Sequence, residues 1–292
     1  MTVAVLCKAS QLEAKKVIDA FSLSNVSLPE HELYMTKENG LFCDSQTLSY
    51  IRKTKNEDLK RIRAQAYLSL FATLKTFFSA EGKVTHEGKP EFIYNEQADG
   101  EKKKLYISIS HTDKITLVAV SDEGEIGVDI EGVISPEKAD RVEKRYLENV
   151  EIRYTGWDIP LFCYDLESDS FISLAHGKIA VGTSSENSAQ ISDDKRVSNT
   201  ESSKADFCNG IKLLYDLSVK SIVSDTDGDL KSTLTTVKWT ALEALLKCDG
   251  RGFAAFKEVN EISENFDIRS TKICIDGKRY ALSLSIKHSL QS

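Results

Sequence analysis

Between Leu105 and Glu131 the chain alternates apolar and polar residues in successive short segments. Leu105, Ile107 and Ile109 alternate with Tyr106, Ser108 and Ser110. Ile115 to Ser121 is continuously rich in β-formers, and Ile126, Val128 and Ile130 alternate with Gly127, Asp129 and Glu131. A period of two predicts strands, and the Asp122-Glu123-Gly124 break before the last segment predicts a hairpin turn. Residues two apart on a strand lie roughly 7 Å apart on one face. Asp129 and Glu131 therefore point together off a strand whose other face is apolar. Paired carboxylates without an interleaved base repel, so they mark either a solvated edge or a site for a hard cation.

Two stretches carry helical spacing. Leu59, Ile62, Ala66, Leu70, Leu74 and Phe77 predict a helix from about Glu57 to Phe78 with one buried stripe. Trp239, Glu243 and Lys247 are four apart and share one face of a second helix, with Leu242, Leu245 and Leu246 on its buried side. Elsewhere the pattern predicts a strand from Met1 to Lys8, a helix from Ser10 to Phe21 capped by Ser10, and a charged helix from Pro136 to Glu151. Ser22 to Asp44 is weakly patterned. Phe253 to Lys257, Lys272 to Asp276 and Arg279 to Lys287 read as strands, the last two joined by a hairpin at Asp276-Gly277. Thr183 to Asp206 is rich in Ser, Asn, Asp and Lys and reads as a flexible loop. The apolar fragments around it fit a small hairpin and a strand.

Composition narrows the classes. At 292 residues the chain is long enough for one large or two modest domains. Hydrophobic content of 41% and charged content of 28% suit a soluble globular protein. No apolar run approaches the ~20 residues of a membrane span, and the start lacks a basic leader. The six cysteines are scattered with no Cys-x-x-Cys, which fits reduced thiols in a cytoplasmic protein better than a disulfide frame or a zinc site. A net charge of −7 argues against a general nucleic-acid binder. Against that acidic background, Arg52, Lys53, Lys55, Lys60, Arg61 and Arg63 crowd the entry to the first long helix. Such a cluster is either an anion site or a solvated charged face.

Ser110-His111, then Gly127-x-Asp129-x-Glu131, then Trp239-x-x-x-Glu243-Ala244-x-x-Lys247 follow one another in a specific order and internal spacing. Together they resemble the phosphopantetheinyl transferase superfamily, in its larger monomeric, surfactin-synthetase-activating type. The resemblance implies an α+β fold of two similar halves, each a long helix packed on a small antiparallel sheet, with the site between them. Residues 1–125 would form the half that binds coenzyme A. Residues 126–292 would carry the metal site and the carrier-protein docking surface, with a flexible insertion at about 152–232 where many members have a shorter link. Gly88-Lys89-Pro90 resembles the family's Gly-Lys-Pro, whose lysine faces the nucleotide. A basic residue at the start of the long helix binds a phosphate of coenzyme A in the family. Arg61 matches it best, with Arg52 and Lys53 as further candidates. The lysines that some members carry upstream have no counterpart between Ser45 and Tyr50.

The activity so implied is transfer of 4′-phosphopantetheine from coenzyme A to a serine of an acyl or peptidyl carrier protein, releasing adenosine 3′,5′-bisphosphate. Asp129, Glu131 and Glu243 would hold Mg²⁺, or Mn²⁺ in its place. Lys247 and His111, beside Ser110, would contact phosphate oxygens, and Glu243 or a water it polarises would act as base. The expected partners are coenzyme A and a carrier protein, with no nucleic acid or membrane, and the protein is expected to be a monomer. The alternative from another class is a coenzyme A or carrier-protein binding module that has kept the fold and lost transfer. An unrelated metal-dependent phosphotransferase would need a phosphate-cradling glycine loop, and the sequence has none.

Overall fold

The computed structural model describes residues 1–8, 32–34, 41–44, 51, 53–87, 89–94, 103–113, 115–165, 170–174, 211–214 and 227–287. The helix expected from Ser10 to Phe21, the loop expected from Thr183 to Asp206, Gly88 and Arg52 lie outside them. The described chain is a mixed α+β structure of helices and two mixed sheets. Its strands begin with β1 (Thr2–Lys8), β2 (Glu32–Tyr34), β3 (Leu41–Asp44), β4 (Gly82–Glu87), β5 (Lys89–Tyr94), β6 (Tyr106–Thr112), β7 (Ile115–Ser121) and β8 (Ile126–Gly132). They continue with β9 (Thr155–Gly156), β10 (Leu161–Asp165), β11 (Ser170–Ser173), β12 (Ile211–Leu214), β13 (Phe266–Ile275) and β14 (Lys278–Lys287). The helices are α1 (Glu57–Phe78), α2 (Pro136–Val142), α3 (Asp227–Asp249) and α4 (Val259–Ser263). The first sheet runs β11-β10-β1-β7-β6-β5-β4-β3-β2, and the second runs β12-β13-β14-β8 with β9 beside β13.

Each long helix buries its predicted stripe on one sheet. The N-terminus of α1 is capped by Asn56, whose side chain accepts from Leu59 N–H at 3.0 Å, and Glu57 and Asp58 favour the same end of the helix dipole. Leu70 and Leu74 of α1 pack with Ile107 of β6 and Val118 and Val120 of β7. Ala241, Leu242, Leu245 and Leu246 of α3 pack with Leu147, Phe266 and Ile268. A third cluster joins the sheets face to face, Leu117 and Ala119 of β7 meeting Ile126, Val128 and Ile130 of β8 and Leu282 and Leu284 of β14.

Several local expectations are corrected. The break at Asp122-Glu123-Gly124 is not a hairpin. β7 stays between β1 and β6 in the first sheet, whereas β8 crosses to the second sheet and pairs with β14. Both strands are apolar enough to be covered on two sides, which frees β8 to leave its sequence neighbour. Phe253 to Lys257 is not a strand but part of a 3₁₀ turn, Gly252–Glu258, started by Gly250 and Gly252 at positive φ. β13 begins at Phe266 rather than near Lys272, and α2 passes into a π turn at Glu143–Leu147 before its expected end. The fragments in the insertion do form elements. β10 and β11 pair antiparallel and extend the first sheet beside β1, and β12 pairs with β13. Among the described residues no helix is long and apolar enough to cross a membrane.

Candidate active site

The site begins with a glycine. Gly127 sits on β8 so close to α3 that a Cβ there would come within 2.0 Å of the Ala244 carbonyl oxygen and 2.4 Å of the Cys248 amide nitrogen. Backbone meets backbone at this point, which brings the α3 side chains one turn either way down onto the strand. Asp129, two residues along β8, is only 3% exposed. Its Oδ1 accepts from Lys247 Nζ of α3 at 2.6 Å and from Ser110 Oγ of β6 at 2.8 Å. Lys247 Nζ also donates to Ser110 Oγ at 3.1 Å. The three expected motifs therefore meet at one carboxylate. The solvated-edge reading of the Asp-x-Glu pair fails for Asp129, since the edge is covered by β6 and α3.

Glu243 stands one turn before Lys247 and faces the Asp129 carboxylate. Its carboxyl is pushed up to about 7, first by burial and then by the charge of Asp129, with a smaller push from Glu131 and an opposing pull from Lys247. Glu243 is thus the carboxyl that holds its proton toward neutrality beside Asp129. Glu131 is half-buried, accepts from Thr112 Oγ1 at 3.4 Å and lies 3.6 Å from Lys138 Nζ.

Beside this cluster a cleft of about 330 Å³ opens between α1, β5, β6 and the end of α3. Its charged lining is Arg63, Lys89 and Lys247, with His111 beside them, and its walls include Tyr67, Pro90, Ile109 and Leu246. Lys247 belongs to both the cleft and the carboxylate cluster. Lys89 is held at the wall by Glu125, 2.8 Å away. His111 is exposed at the cleft, and its pKa is lowered by desolvation and by the neighbouring charges of Lys247 and Arg63. Its ring is therefore neutral at neutral pH, a hydrogen-bonding group and not a fixed cation.

Arg61 does not line the cleft. It pairs with Asp58 on its own helix. Lys53 is exposed and outside the lining, and Arg52 lies outside the described residues. The cleft instead receives Arg63, whose Nη1 donates to Thr54 Oγ1 at 2.6 Å. Sequence reasoning passed over Arg63, although helical spacing carries the signal: Arg63, Ala66 and Tyr67 are three and four apart and share a face. The apolar walls at Tyr67 and Leu246 were equally hidden, because Leu246 read simply as core and nothing in the pattern singled out Tyr67.

Whether the carboxylates suit a metal is a question of donor chemistry. Asp129, Glu131 and Glu243 offer only oxygen, from two elements, and their mutual repulsion adds to the burial that raises Glu243. A hard divalent cation relieves that repulsion, and Mg²⁺ needs only one or two protein carboxylates if a substrate phosphate and waters complete its shell. Among the described residues no three such side chains already converge as a finished cage. The ammonium of Lys247 is the positive group now on Asp129. Neither the family models nor the curated proteins with which the chain was compared give a match.

Proposed function

We propose that the protein is a phosphopantetheinyl transferase, moving 4′-phosphopantetheine from coenzyme A to a serine hydroxyl of a carrier protein. The observation that carries this reading is the convergence of Ser110, Asp129, Glu243 and Lys247 at one end of a basic cleft. In the reaction the serine oxygen forms a bond to the phosphorus that bears the pantetheine arm. The bond from that phosphorus to the bridging oxygen breaks, and adenosine 3′,5′-bisphosphate departs with the electron pair. Such a displacement needs positioning and charge neutralisation more than covalent help.

Each residue then has a task. Glu243, with its carboxyl near 7, accepts the serine proton. Lys247 neutralises charge on the pyrophosphate, while Arg63, Lys89 and neutral His111 bind its oxygens or the 3′-phosphate along the cleft. The apolar walls at Tyr67, Pro90, Ile109 and Leu246 suit the uncharged parts of the nucleotide. Asp129, Glu243 and Glu131 would hold Mg²⁺ or Mn²⁺, which when bound supplies neutralisation of the pyrophosphate and of the carboxylates together. The finer architecture expected of the family, two similar halves with the site between, is part of this proposal. The position of the cleft between α1 on the first sheet and α3 on the second is in keeping with it.

The test is incubation with coenzyme A, Mg²⁺ and a panel of apo carrier proteins, followed by weighing the carriers. A gain of one phosphopantetheine arm on any carrier supports transfer. Tight coenzyme A binding with no mass gain on any carrier would instead favour the binding-module alternative.

A further inference from the structure

Among the described residues β8 is the outer strand of the second sheet, and alternate amide groups along its outer edge have no described strand to pair with. β6 of the first sheet lies along that edge, and the join is made by hydroxyl side chains. Ser108 Oγ accepts from Val128 N–H at 3.0 Å, Ser110 Oγ donates to Asp129 at 2.8 Å, and Thr112 Oγ1 donates to Glu131 at 3.4 Å. Ser108, Ser110 and Thr112 are every second residue of β6, so they leave one face of the strand. Ile107 and Ile109, on the opposite face, pack with the α1 core. One row of hydroxyls thus satisfies an edge amide and reaches two carboxylates.

The proton of Ser110 has only one direction. The Lys247 ammonium carries donors alone, so the Ser110 oxygen must accept from it, and the single hydroxyl proton goes to Asp129 Oδ1. Oδ1 is therefore held by two donors of different kind. The Lys247 side chain is 36% exposed and long, whereas Ser110 is 5% exposed and short. A divalent cation arriving at Asp129 would repel the ammonium but not a neutral hydroxyl. The serine bond would survive that exchange, and Lys247 would be freed for a phosphate.

We propose that Ser110 is a positioning residue: its hydroxyl, anchored in the row on β6, fixes the Asp129 carboxylate for a divalent cation. The inference rests on reading Asp129 as a ligand, and it gives Ser110 a role directed at the protein's own carboxylate. Partners one shell beyond a metal ligand typically change metal affinity ten- to a hundredfold.

The experiment titrates Mg²⁺ into the free protein and follows the rise in melting temperature, with no coenzyme A or carrier present. Ser110→Ala should need roughly tenfold more Mg²⁺ for half the rise, and Ser110→Thr, which keeps the hydroxyl and suits a strand, should restore the parental value. Ser110→Cys, close in volume but a poor donor, should behave as Ser110→Ala and serves if the alanine variant does not fold. Ser121→Ala is the control, a buried β7 hydroxyl bonded to Thr2 at 2.9 Å and remote from the carboxylates. It should lower the starting melting temperature and leave the Mg²⁺ midpoint where it was. A parental midpoint in both Ser110→Ala and Ser110→Cys overturns the inference, as does a parent that gains no stability from Mg²⁺. A parent that responds to Mg²⁺ and loses the response with Ser110→Ala, yet modifies no carrier protein, sinks the transferase reading and leaves this inference standing.

Discussion

Gly127 and Ala244 touch backbone to backbone: a Cβ on the glycine would lie 2.0 Å from the alanine carbonyl oxygen. That single approach sets the height of α3 above β8, and with it the reach of Lys247 and Glu243 to Asp129. The glycine of Gly-x-Asp-x-Glu thus does not serve turn geometry at all. It is where the strand makes room for the helix.

Gly127→Ala is therefore expected to separate the site rather than trim it. The methyl meets backbone, which cannot rotate away, so α3 must lift, at a cost of about 1–3 kcal/mol or more as in other overpacked contacts. On the proposed function, carrier modification should fall by orders of magnitude, while coenzyme A binding, assigned there mostly to Arg63, Lys89 and His111 of the cleft lining, should weaken much less. Circular dichroism melts and single-turnover transfer assays would check both; parental transfer by the alanine variant would remove the contact from the account.

The two arginines of α1 make opposite forecasts. Arg61 is engaged with exposed Asp58, a pair of the kind worth little, so Arg61→Ala should leave the Michaelis constant for coenzyme A close to the parent's. Arg63 lines the cleft, and losing a charge-assisted phosphate contact of about 1.5–3 kcal/mol should raise that constant roughly tenfold or more. Steady-state kinetics with the two variants side by side decide the matter, and a larger effect at Arg61 would mean that the cleft is not the nucleotide site.

The cation makes a third forecast. Chelator should abolish transfer, and Mg²⁺ or Mn²⁺ should restore it. Asp129→Asn keeps an oxygen that can accept from Ser110 and Lys247, and Lys247 is exposed enough to hydrate, so no buried charge is stranded. The stability change should stay near 1 kcal/mol, whereas transfer should be lost. A variant that folds well and transfers at the parental rate would return Asp129 to a purely structural part.

What could be read from the chain beforehand depended on how local the physics was. α1 was legible because its apolar residues repeat at 3.6 along one stripe. The same holds for the turn at Asp276-Gly277, where both residues adopt positive φ. The motif residues Ser110, Asp129, Glu243 and Lys247 were legible as chemistry, and the structure brings them together. The departure of β8 to the second sheet was not legible, since an apolar strand with a turn before it looks the same whether it folds back or crosses over. Nor was the choice of Arg63 over Arg61, which depends on where a helix face points once the helix is docked. The part played by Gly127 was hidden for a related reason, because a missing side chain shows its purpose only against the atoms that fill its place.

The last forecast concerns pH and joins stability to chemistry at Glu243. Its carboxyl titrates at about 7 in the fold against an ordinary 4.5, because burial and the Asp129 charge disfavour the ionised form. Between those values the folded protein binds a proton that the unfolded chain has released, so metal-free stability should fall as pH rises through this window. Below about 4.5 the group is neutral in both states and contributes no loss; above 7 the loss is complete. Glu243→Gln cannot ionise, so its melting temperature should decline less than the parent's between pH 5 and pH 8. Saturating Mg²⁺ should flatten the parent's curve as well, because the cation takes over the work of the proton. The same substitution should depress transfer by orders of magnitude while coenzyme A still binds, since it would remove the proposed proton acceptor and ligand but none of the cleft's cations. Lys247→Ala should weaken transfer and also raise the Michaelis constant for coenzyme A, because a phosphate contact acts in ground and transition states alike. If Glu243→Gln tracked the parent in both its pH–stability curve and its transfer rate, the carboxyl would be an ordinary helix-surface group, and the catalytic assignment would go with it.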